Sequence, residues 1–387
     1  MAEPAERLLA RLKVPGGGLE GAESQVDLGD ARVRSSLEAS REMLCRAAER
    51  DERASVDCDL IGRLLEDAER GFARLGGDGP DAALQPAERY ALEAVIETDG
   101  TRPVLFVQDG TIPGDAPELA NWGAAAAFRP QIERVAASVG RVEAAHIEAG
   151  KAGTMFMIAP GLVVTNRHVL EGLCQWDGSA WRYYSDASVD FVGEHQRDRT
   201  RRYRLGEVVY WGPDAINWRI DFKLLDVAIF RLVEGAEPFP APLSFERNPD
   251  RYRPTVGGGP RHVYTIGFPG EPQVAEDDPA DGPPPAGHEY QQVVDNVFRS
   301  TFGVKRWAPG EIEAAPGEVD GDAKAWVFSH DASTLGGSSG SCVVDFQDNG
   351  ERVLGIHFGG RARVVNWAHA FAALKPFLPD GIGAAWL

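Results

Sequence analysis

Three short strings of the sequence contain the residue types that nucleophilic cleavage of an amide bond requires. They are, in chain order, residues 165–170 (TNRHVL), 226–230 (DVAIF) and 336–341 (GGSSGS). A serine hydroxyl is a weak nucleophile at neutral pH, and a neutral histidine beside it can take its proton and later donate it to the leaving amine. A buried aspartate bonded to the other ring nitrogen holds the histidine in the required tautomer. Together the strings predict a nucleophilic serine site.

Each string alone also fits a structural role. A histidine at the end of a strand is usually structural, an aspartate before a strand is usually a turn residue, and a run of glycine and serine is usually a loop. Their occurrence together, in the order His, Asp, Ser within one β-rich stretch, favours catalysis. Glycines beside the serine let the backbone turn tightly, so that main-chain N–H groups can point at one spot and hold an oxyanion.

Composition argues against several other classes of function. The 387 residues are 43% hydrophobic and 26% charged, which is typical of two or three domains with a sizeable core. The 40 basic and 59 acidic residues give a net charge of −19, which argues against nucleic acid or an anionic membrane as the main partner. We expect no metal or other cofactor, because the four cysteines form no pair or cluster with zinc spacing. The first residues lack signal-peptide features, and cysteine is scarce, so we predict a reduced, cytoplasmic location.

The pattern along the chain changes near residue 138 and predicts four parts. They are a flexible N-terminus (1–27) with a short helix at 5–12, a helical regulatory or adaptor module (28–137), a β-rich domain (138–378) and a C-terminal tail (379–387). Apolar residues at three- and four-residue steps predict helices at about 30–52 and from 59 to 76, and a third begins at Pro86. Residues 102–110 predict a strand and a turn, and two weaker helices fit 117–127 and 130–137.

The β-rich domain consists of short apolar runs separated by Gly, Pro, Asp and Asn, which is typical of an antiparallel sandwich or a pair of barrels. The predicted strands are 142–147, 154–159, 162–165, 203–210, 227–232, 263–268, 293–302, 325–329, 341–346, 352–358 and 362–366. An amphipathic helix is predicted at 368–377. Residues 271–287 are acidic and Pro-rich, which predicts a surface loop.

Five strings of this domain resemble the chymotrypsin-fold, or trypsin-like, serine proteases, and most of all the bacterial trypsin-like domains and glutamyl endopeptidases. The strings are GTMFMIAPGLVVTNRHV (153–169), DVAIFRL (226–232), YTIGFPG (264–270), DASTLGGSSGSCVV (331–344) and VLGIHFGG (353–360). The resemblance implies a mainly β fold, a double antiparallel β-barrel with a C-terminal helix, preceded by an α-helical N-terminal domain. The barrels would span about 138–250 and 260–378, with the site in the cleft between them.

The resemblance also implies a role for each candidate site residue. His168 would be the general base and acid, and Asp226 would orient it, both on the first barrel. Ser339, on the second barrel, would be the nucleophile. The backbone N–H groups of Gly337 and Ser339 would form the oxyanion hole. The partner implied is a protein or peptide substrate.

Three other residues are rivals for these roles. Asp221 lies near the assigned carboxylate but does not begin the strand motif of the family, and Ser338 and Ser341 flank the assigned nucleophile in the wrong frame. Two departures from the family pattern matter. Cys342 replaces a usual proline, and no Ile-Val-Gly-Gly string precedes the domain, so activation by zymogen cleavage is not expected.

The resemblance assigns the substrate pocket to two stretches, one before the nucleophile and one on a later strand. Trypsin-like preference for Arg or Lys needs an acid six residues before the nucleophile, where this chain has Ser333. Glutamyl endopeptidases present a Thr and a His, which correspond here to Thr334 and His357, with Gly359 and Gly360 leaving the pocket open. The resemblance therefore implies an acidic or small polar residue before the scissile bond, and the alternative is that the histidine only fills the pocket wall.

Three functions follow. The first is a serine endopeptidase that its N-terminal module regulates as a cytoplasmic effector in signalling or defence, because bacterial trypsin-like domains are often fused to small helical adaptor modules. The second is a catalytically silent protease fold that serves as a binding or scaffold protein. The third is a scaffold in which the helical N-terminal third of the chain does the work while proteolysis only regulates the protein itself by self-cleavage. Labelling with a fluorophosphonate distinguishes the second from the other two, because only an active serine reacts.

Overall fold

Two β-barrels, preceded in the described part of the chain by four N-terminal helices and a fifth helix beside the barrels, form the computed structural model. It describes residues 4–15, 24–50, 58–114, 117–148, 152–216, 220–255, 258–270, 286–287, 289–290, 302–334, 338–347, 349–361, 365–378 and 385–386. The predicted strand at 293–302 and the predicted loop at 271–287 lie almost entirely outside these residues. Within the described residues, no helix is both long enough and apolar enough to cross a membrane.

The N-terminal helices, Pro4–Arg11, Asp30–Arg50, Cys58–Asp78 and Pro86–Thr98, pack around a core of their own. The third helix buries residues at three- and four-residue steps, as the sequence predicts: Ile61, Leu64, Leu65, Ala68, Phe72 and Leu75. It approaches the fourth helix closely, since a Cβ on Gly71 would lie 2.7 Å from Leu92 Cδ1. The fourth helix begins at Pro86, where the Glu88 carboxylate accepts the N–H of Gln85 at 2.8 Å.

The segment that follows these helices packs against the β structure. Leu105–Phe106 pairs antiparallel with the strand Arg306–Ala314 of the second barrel. A 3₁₀ segment, Pro117–Phe128, and a helix, Arg129–Ala136, come next. Their buried side chains, which include Trp122, share one core with both barrels. Another 3₁₀ turn, Gly79–Asp81, joins the third and fourth N-terminal helices.

The first barrel is a closed ring of six antiparallel strands. In ring order they are Arg202–Trp211, Ala228–Leu232, Leu162–Thr165, Thr154–Ala159, Val139–Ala144 and Ala187–Asp190. The strand Thr154–Ala159 is buried on both faces. Phe156 and Ile158 face the core shared with the second barrel, whereas Met155 and Met157 fill the interior of the first barrel. This two-residue alternation is what a strand between two cores requires.

The second barrel is also a closed ring of six strands. In ring order they are Cys342–Asp345, His262–Gly267, Arg306–Ala314, Val327–His330, Val365–Ala370 and Arg352–Arg361, and the last pairs with the first. Tyr264 and Ile266 point into the shared core, and Val263 points into a separate core of this barrel. Two closed barrels with helices before them confirm the predicted fold class.

Smaller elements complete the described chain. They are the strands Val14–Pro15, Ser24–Gln25, Cys174–Trp176, Trp181–Tyr183, Ser244–Phe245 and Ala385–Trp386, the helices Arg167–Leu173 and Phe371–Leu374, and the 3₁₀ turns Pro249–Tyr252 and Lys375–Phe377. The C-terminal helix is shorter than the predicted 368–377. Residues 368–370, which were predicted to begin this helix, belong instead to the strand Val365–Ala370, because that strand pairs with neighbours on both sides.

The strand Arg306–Ala314 was not predicted from the sequence. Its sequence, RWAPGEIEA, contains a proline and a glycine, both of which count against a strand. Pro309 pairs with Tyr264 on one side, while the opposite neighbour, Val327–His330, begins pairing only at Ile312. The missing N–H of the proline therefore removes no hydrogen bond between Arg306–Ala314 and Val327–His330, because these two strands are not yet paired at Pro309.

Candidate active site

Two neighbouring strands of the first barrel bring His168 and Asp226 together. His168 lies in the helix Arg167–Leu173, which starts two residues after the strand Leu162–Thr165. Asp226 lies two residues before the strand Ala228–Leu232. These strands are antiparallel, and Ala228 pairs with Thr165. The end of one strand therefore meets the start of the other, and two residues 58 positions apart become neighbours.

Both carboxylate oxygens of Asp226 accept hydrogen bonds from His168. Oδ2 lies 2.6 Å from ring Nδ1, and Oδ1 accepts the backbone N–H at 2.9 Å. The aspartate side chain is 7% exposed and the histidine side chain 33%. With Nδ1 holding a proton for the carboxylate, Nε2 is left as the basic nitrogen. The rival Asp221 is exposed, and its carboxylate caps a local turn by accepting the N–H of Lys223 at 2.9 Å.

The pair also sets the charge state of its members. Burial alone would lower the pKa of His168, but the adjacent Asp226 carboxylate, with a contribution from Glu171, raises that pKa above its ordinary 6.5. Burial alone would raise the pKa of Asp226, but the histidine and its hydrogen bonds lower it below its ordinary 3.8. The carboxylate is therefore ionised at neutral pH, and it stabilises a protonated imidazole.

We expect kcat/KM to rise with pH through the pKa of His168. A general base must be neutral, and the carboxylate favours the protonated form, so the acidic limb should lie above pH 6.5. Initial rates on one peptide substrate, measured from about pH 5 to pH 9 with enzyme stability checked at each pH, give the profile. An acidic limb centred clearly below pH 6.5 would contradict this expectation.

Two residues that the sequence did not single out support Asp226. The Asn166 amide donates to the carbonyl of Asp226 at 2.9 Å. Nε2 of His369 accepts the backbone N–H of Asp226 at 3.1 Å. Burial lowers the pKa of His369 to about 4, so it is neutral and can accept. Asn166 stands beside His168 in the same string, whereas His369 lies 143 residues from its partner and no local pattern indicates it.

Burial distinguishes the three serines of the string at 336–341. Ser338 is 5% exposed and Ser341 is 1% exposed, whereas Ser339 is intermediate. The Ser341 hydroxyl has no hydrogen-bond partner and lies against Gly267, where a Cβ would collide with it. Among the three, Ser339 is the most exposed residue.

Short main-chain links hold Ser339 beside the His168 segment. The carbonyl of Ser339 accepts the N–H of Thr154 at 2.9 Å, and the carbonyl of Thr154 accepts the Thr165 hydroxyl at 2.7 Å. A Cβ on Gly153 would lie 3.0 Å from Val169 Cγ2 and 3.3 Å from the Ser339 carbonyl oxygen. Thus the residue after the histidine and the backbone of the serine flank a single glycine.

Within the described part of the chain, the Ser339 hydroxyl makes no hydrogen bond to His168. Such contacts often tighten only when substrate is bound. We therefore expect this hydrogen bond to form in the substrate complex.

The backbone around the serine forms a tight turn. The N–H of Ser341 donates to the carbonyl of Ser338 at 2.9 Å, and Gly340 has a φ of +87°. A Cβ on Gly340 would collide with the Thr154 carbonyl, so both the conformation and the space require glycine. Gly337, the other predicted oxyanion donor, lies outside the described residues.

The predicted pocket residues lie on two adjoining segments of the second barrel. The Ser333 hydroxyl donates to the backbone carbonyl of Arg102 at 2.9 Å, and the Thr334 hydroxyl donates to the Asn366 side chain. Gly359 and Gly360 lie on the strand Arg352–Arg361, where Gly359 is half-buried and Gly360 exposed.

His357 joins this pocket strand to the nucleophile turn. Its carbonyl accepts the N–H of Gly340, and its N–H donates to the carbonyl of Ser341, both at 2.9 Å. The imidazole is buried, and Nδ1 has no hydrogen-bond partner. Burial, with a contribution from nearby His168, lowers the pKa of His357 to about 3.

A second buried histidine lies behind the first. The ring of His330 packs edge-on against that of His357, with centroids 5.6 Å apart. Neither ring nitrogen of His330 has a hydrogen-bond partner, and burial lowers its pKa well below the ordinary value. No sequence motif indicates a role for this residue, although it directly precedes the string at 331–344. The unpartnered nitrogens of these two rings in contact leave unused hydrogen-bonding capacity beside the pocket.

Comparison with known proteins finds a family match and a similar curated protein. Residues 153–356 match the family described as the trypsin-like peptidase domain. A probable serine protease of Lysobacter enzymogenes is 33% identical over 338 residues, which cover 83% of this chain and 82% of that protein.

Solved structures that match this chain include neuropsin, a serine protease of mouse brain. It is 13% identical, with a TM-score of 0.40, over 63% of this chain and 93% of that one. The MamO protease domain of Magnetospirillum magneticum is 16% identical, with a TM-score of 0.36, over 64% of this chain and 98% of that one.

Proposed function

Since the chain belongs to the family of trypsin-like peptidases, we propose that it is an endopeptidase that cleaves peptide bonds through an acyl-enzyme on Ser339. Membership of this family makes it a serine protease, a hydrolase whose substrates are proteins or peptides. The observation that carries the proposal is the contact of 2.6 Å between His168 Nδ1 and Asp226 Oδ2. That contact orients the imidazole and stabilises its protonated form.

Each residue of the proposed triad has one task. The Ser339 oxygen attacks the peptide carbonyl while its proton passes to Nε2 of His168. The imidazolium, stabilised by Asp226, then donates that proton to the amine as the carbon–nitrogen bond breaks. A water next gives a proton to His168 and attacks the acyl-enzyme. The proton returns to the serine oxygen as the carboxylic acid leaves.

Backbone N–H groups of the nucleophile turn would stabilise the oxyanion of the tetrahedral intermediate. We propose those of Ser339 and Gly337 as the donors. The support is the turn itself, closed from Ser341 to Ser338 at 2.9 Å and bent at Gly340 with a φ of +87°. Preorganised donors of this kind lower the barrier because they need no rearrangement as charge develops.

We further propose that the enzyme prefers an acidic or small polar residue before the scissile bond. His357 has an unpartnered ring nitrogen, and a substrate carboxylate would supply the missing acceptor. In the described part of this pocket, the uncharged Ser333 hydroxyl donates to Arg102 and both oxygens of Asp331 already have partners, so neither residue would pair with a basic side chain. Since His357 is neutral at pH 7, it would donate a hydrogen bond rather than supply a positive charge.

A peptide library with every residue type at the cleavage position tests the activity and the preference together. We expect cleavage after Glu, Asp or small polar residues, read by mass spectrometry, and no cleavage by the Ser339→Ala protein. In His357→Leu the ratio of kcat/KM for Glu over Ala substrates should fall by about tenfold or more, because the pocket loses its donor. The ratio within one enzyme cancels any loss of folded protein. Strong cleavage after Arg or Lys would overturn the preference but not the endopeptidase activity.

We also propose that the N-terminal helices regulate the protease as a cytoplasmic effector in signalling or defence. Two observations support this proposal. The helices have a hydrophobic core of their own, and Arg102, shortly after the fourth helix, accepts a hydrogen bond from Ser333 of the pocket segment. Removal of residues 1–135 would not isolate this effect, because Trp122 and Ile132 belong to the core shared with the barrels. Single substitutions at the contact are the cleaner test.

A further inference from the structure

A buried ion pair joins the segment after the N-terminal helices to the strand that leads to the nucleophile. Nε and Nη2 of Arg102 donate to Oδ2 of Asp331 at 3.0 and 2.7 Å. Oδ1 of the same carboxylate accepts the backbone N–H of Glu311 at 2.7 Å. The Arg102 side chain is 0% exposed and that of Asp331 3%. Asp331 directly follows the strand Val327–His330 of the second barrel.

Arg102 is held from several directions. Its Nη1 donates to the carbonyls of Lys13 at 2.6 Å and Thr101 at 3.0 Å. Its guanidinium lies 5.6 Å from the centre of the Trp122 ring. Burial opposes the charge, but the carboxylates of Asp331 and Glu311 outweigh it and raise the pKa of Arg102 above its ordinary value. A buried charge with all these partners has one allowed position, because any displacement leaves a charged group unpaired.

The residues before Arg102 connect it to the N-terminal helices. The N–H of Thr101 donates to Oδ1 of Asp99 at 2.7 Å, and Oδ2 of Asp99 accepts the hydroxyl of Ser36 at 2.6 Å. Ser36 lies in the helix Asp30–Arg50, and Asp99 directly follows the helix Pro86–Thr98. Two of the four N-terminal helices therefore position the arginine.

The residues after Asp331 connect the arginine to the substrate pocket. The carbonyl of Arg102 accepts the Ser333 hydroxyl at 2.9 Å. The carbonyl of Ala332 accepts the Asn366 amide at 2.9 Å, and the Thr334 hydroxyl donates back to the Asn366 side chain. Residues 331–334 are thus held by one arginine on one side and one asparagine on the other. Only four residues then separate Thr334 from Ser339.

We infer that Arg102 is a positioning residue for the pocket wall and the nucleophile, so that the N-terminal helices form part of the functional peptidase. The inference rests on the proposed function of Ser339. Arg102 touches no reacting atom, and it acts by holding Asp331 and Ser333 in place. The chain thereby supports its pocket with an internal arginine. A partner that displaces residues 99–102 would lower the activity.

Arg102→Met tests the inference, with Arg261→Met as a matched control. Arg261, which directly precedes a strand of the second barrel, is also a buried arginine, and its side chain donates to Asp345 at 2.8 Å, to Gln347 and to the carbonyl of Arg253, none of which is a predicted pocket residue. Arg102→Met should lower the rate of fluorophosphonate labelling and kcat/KM by about 100-fold, because small displacements in an active site cost that much. Arg261→Met should lose comparable stability and keep the labelling rate. Rates are compared at a temperature at which circular dichroism shows each variant to be folded.

Two further variants keep the test decisive if Arg102→Met fails to fold. Arg102→Lys retains the charge with fewer hydrogen bonds and should recover part of the labelling rate. Ser333→Ala removes only the hydroxyl that donates to Arg102 and should also slow labelling. Folded Arg102→Met or Ser333→Ala proteins with wild-type labelling rates would overturn the inference.

Hydrogen exchange separates this inference from the proposed function, because it requires no catalysis. Peptides that contain residues 327–341 should exchange faster in Arg102→Met than in the wild type, and unchanged in Arg261→Met. If the wild-type protein is not labelled but this selective change occurs, the proposed function fails and the positioning role stands. If the wild type is labelled and exchange in these peptides is unchanged in Arg102→Met, the positioning role fails alone.

Discussion

Replacing Ser339 by Ala should lower kcat by about 10⁶-fold, the loss found when a triad nucleophile is removed. The alanine removes the oxygen that forms the acyl-enzyme, while the pair of His168 and Asp226 on the other barrel remains. The variant should fold as the wild type does, because the main-chain bonds of the turn do not involve the hydroxyl. The measurements are hydrolysis of a peptide substrate and labelling with a fluorophosphonate, which should disappear.

Ser341→Ala is the matched control for this experiment. Its hydroxyl is buried, has no hydrogen-bond partner and faces Gly267, so its removal should leave labelling unchanged. A wild-type protein that hydrolyses no peptide and takes up no label would favour the silent-scaffold alternative. Label that persists in Ser339→Ala would assign the nucleophile to another residue.

Replacing Asp226 by Asn should lower kcat by about 10⁴-fold. The two oxygens of Asp226 accept two different donors of His168, the ring Nδ1–H and the backbone N–H. An amide has one oxygen and one NH₂, so an acceptor can stand at only one of the two carboxylate positions. If its NH₂ faces the ring, the proton moves to Nε2, and the imidazole can no longer accept the proton of the serine. Steady-state rates on one peptide substrate measure the loss.

Asp221→Asn is the control for that substitution. Asp221 is exposed and caps a turn at Lys223, so its neutralisation should leave kcat within the error of the assay. The assignment fails if Asp226→Asn retains nearly full activity, or if Asp221→Asn loses as much as Asp226→Asn does.

The fold class and five of the six strands of the first barrel could be predicted from the sequence because their signals are local, whereas the strand Ala187–Asp190 was not predicted. The string at 154–165 reads as two apolar runs with a turn, and the structure has the strands Thr154–Ala159 and Leu162–Thr165 there. The helix Cys58–Asp78 likewise follows its apolar spacing. The strand Arg306–Ala314 escaped prediction because it carries Pro309 and Gly310, and its pairing with residues far along the chain stabilises it.

The candidate site, too, could be predicted in part from local signals in the sequence. The three residue types and their order are readable in the sequence, and the structure brings His168 and Asp226 into contact. Burial then distinguishes Ser339 from the two serines beside it. The catalytic roles stay a prediction until the substitutions are measured.

The sequence by itself determined which chemistry the chain could perform, because each string carries its residue types and turn glycines within a few positions. Only the tertiary structure decided what holds those residues in place. His369 supports Asp226 from 143 residues away, and Arg102 meets Asp331 across 229 residues. Burial is what makes such pairs matter, since the loss of one partner leaves the other polar or charged group unpaired away from water. Burial depends on the packing of the whole chain, and no local pattern of residues records it.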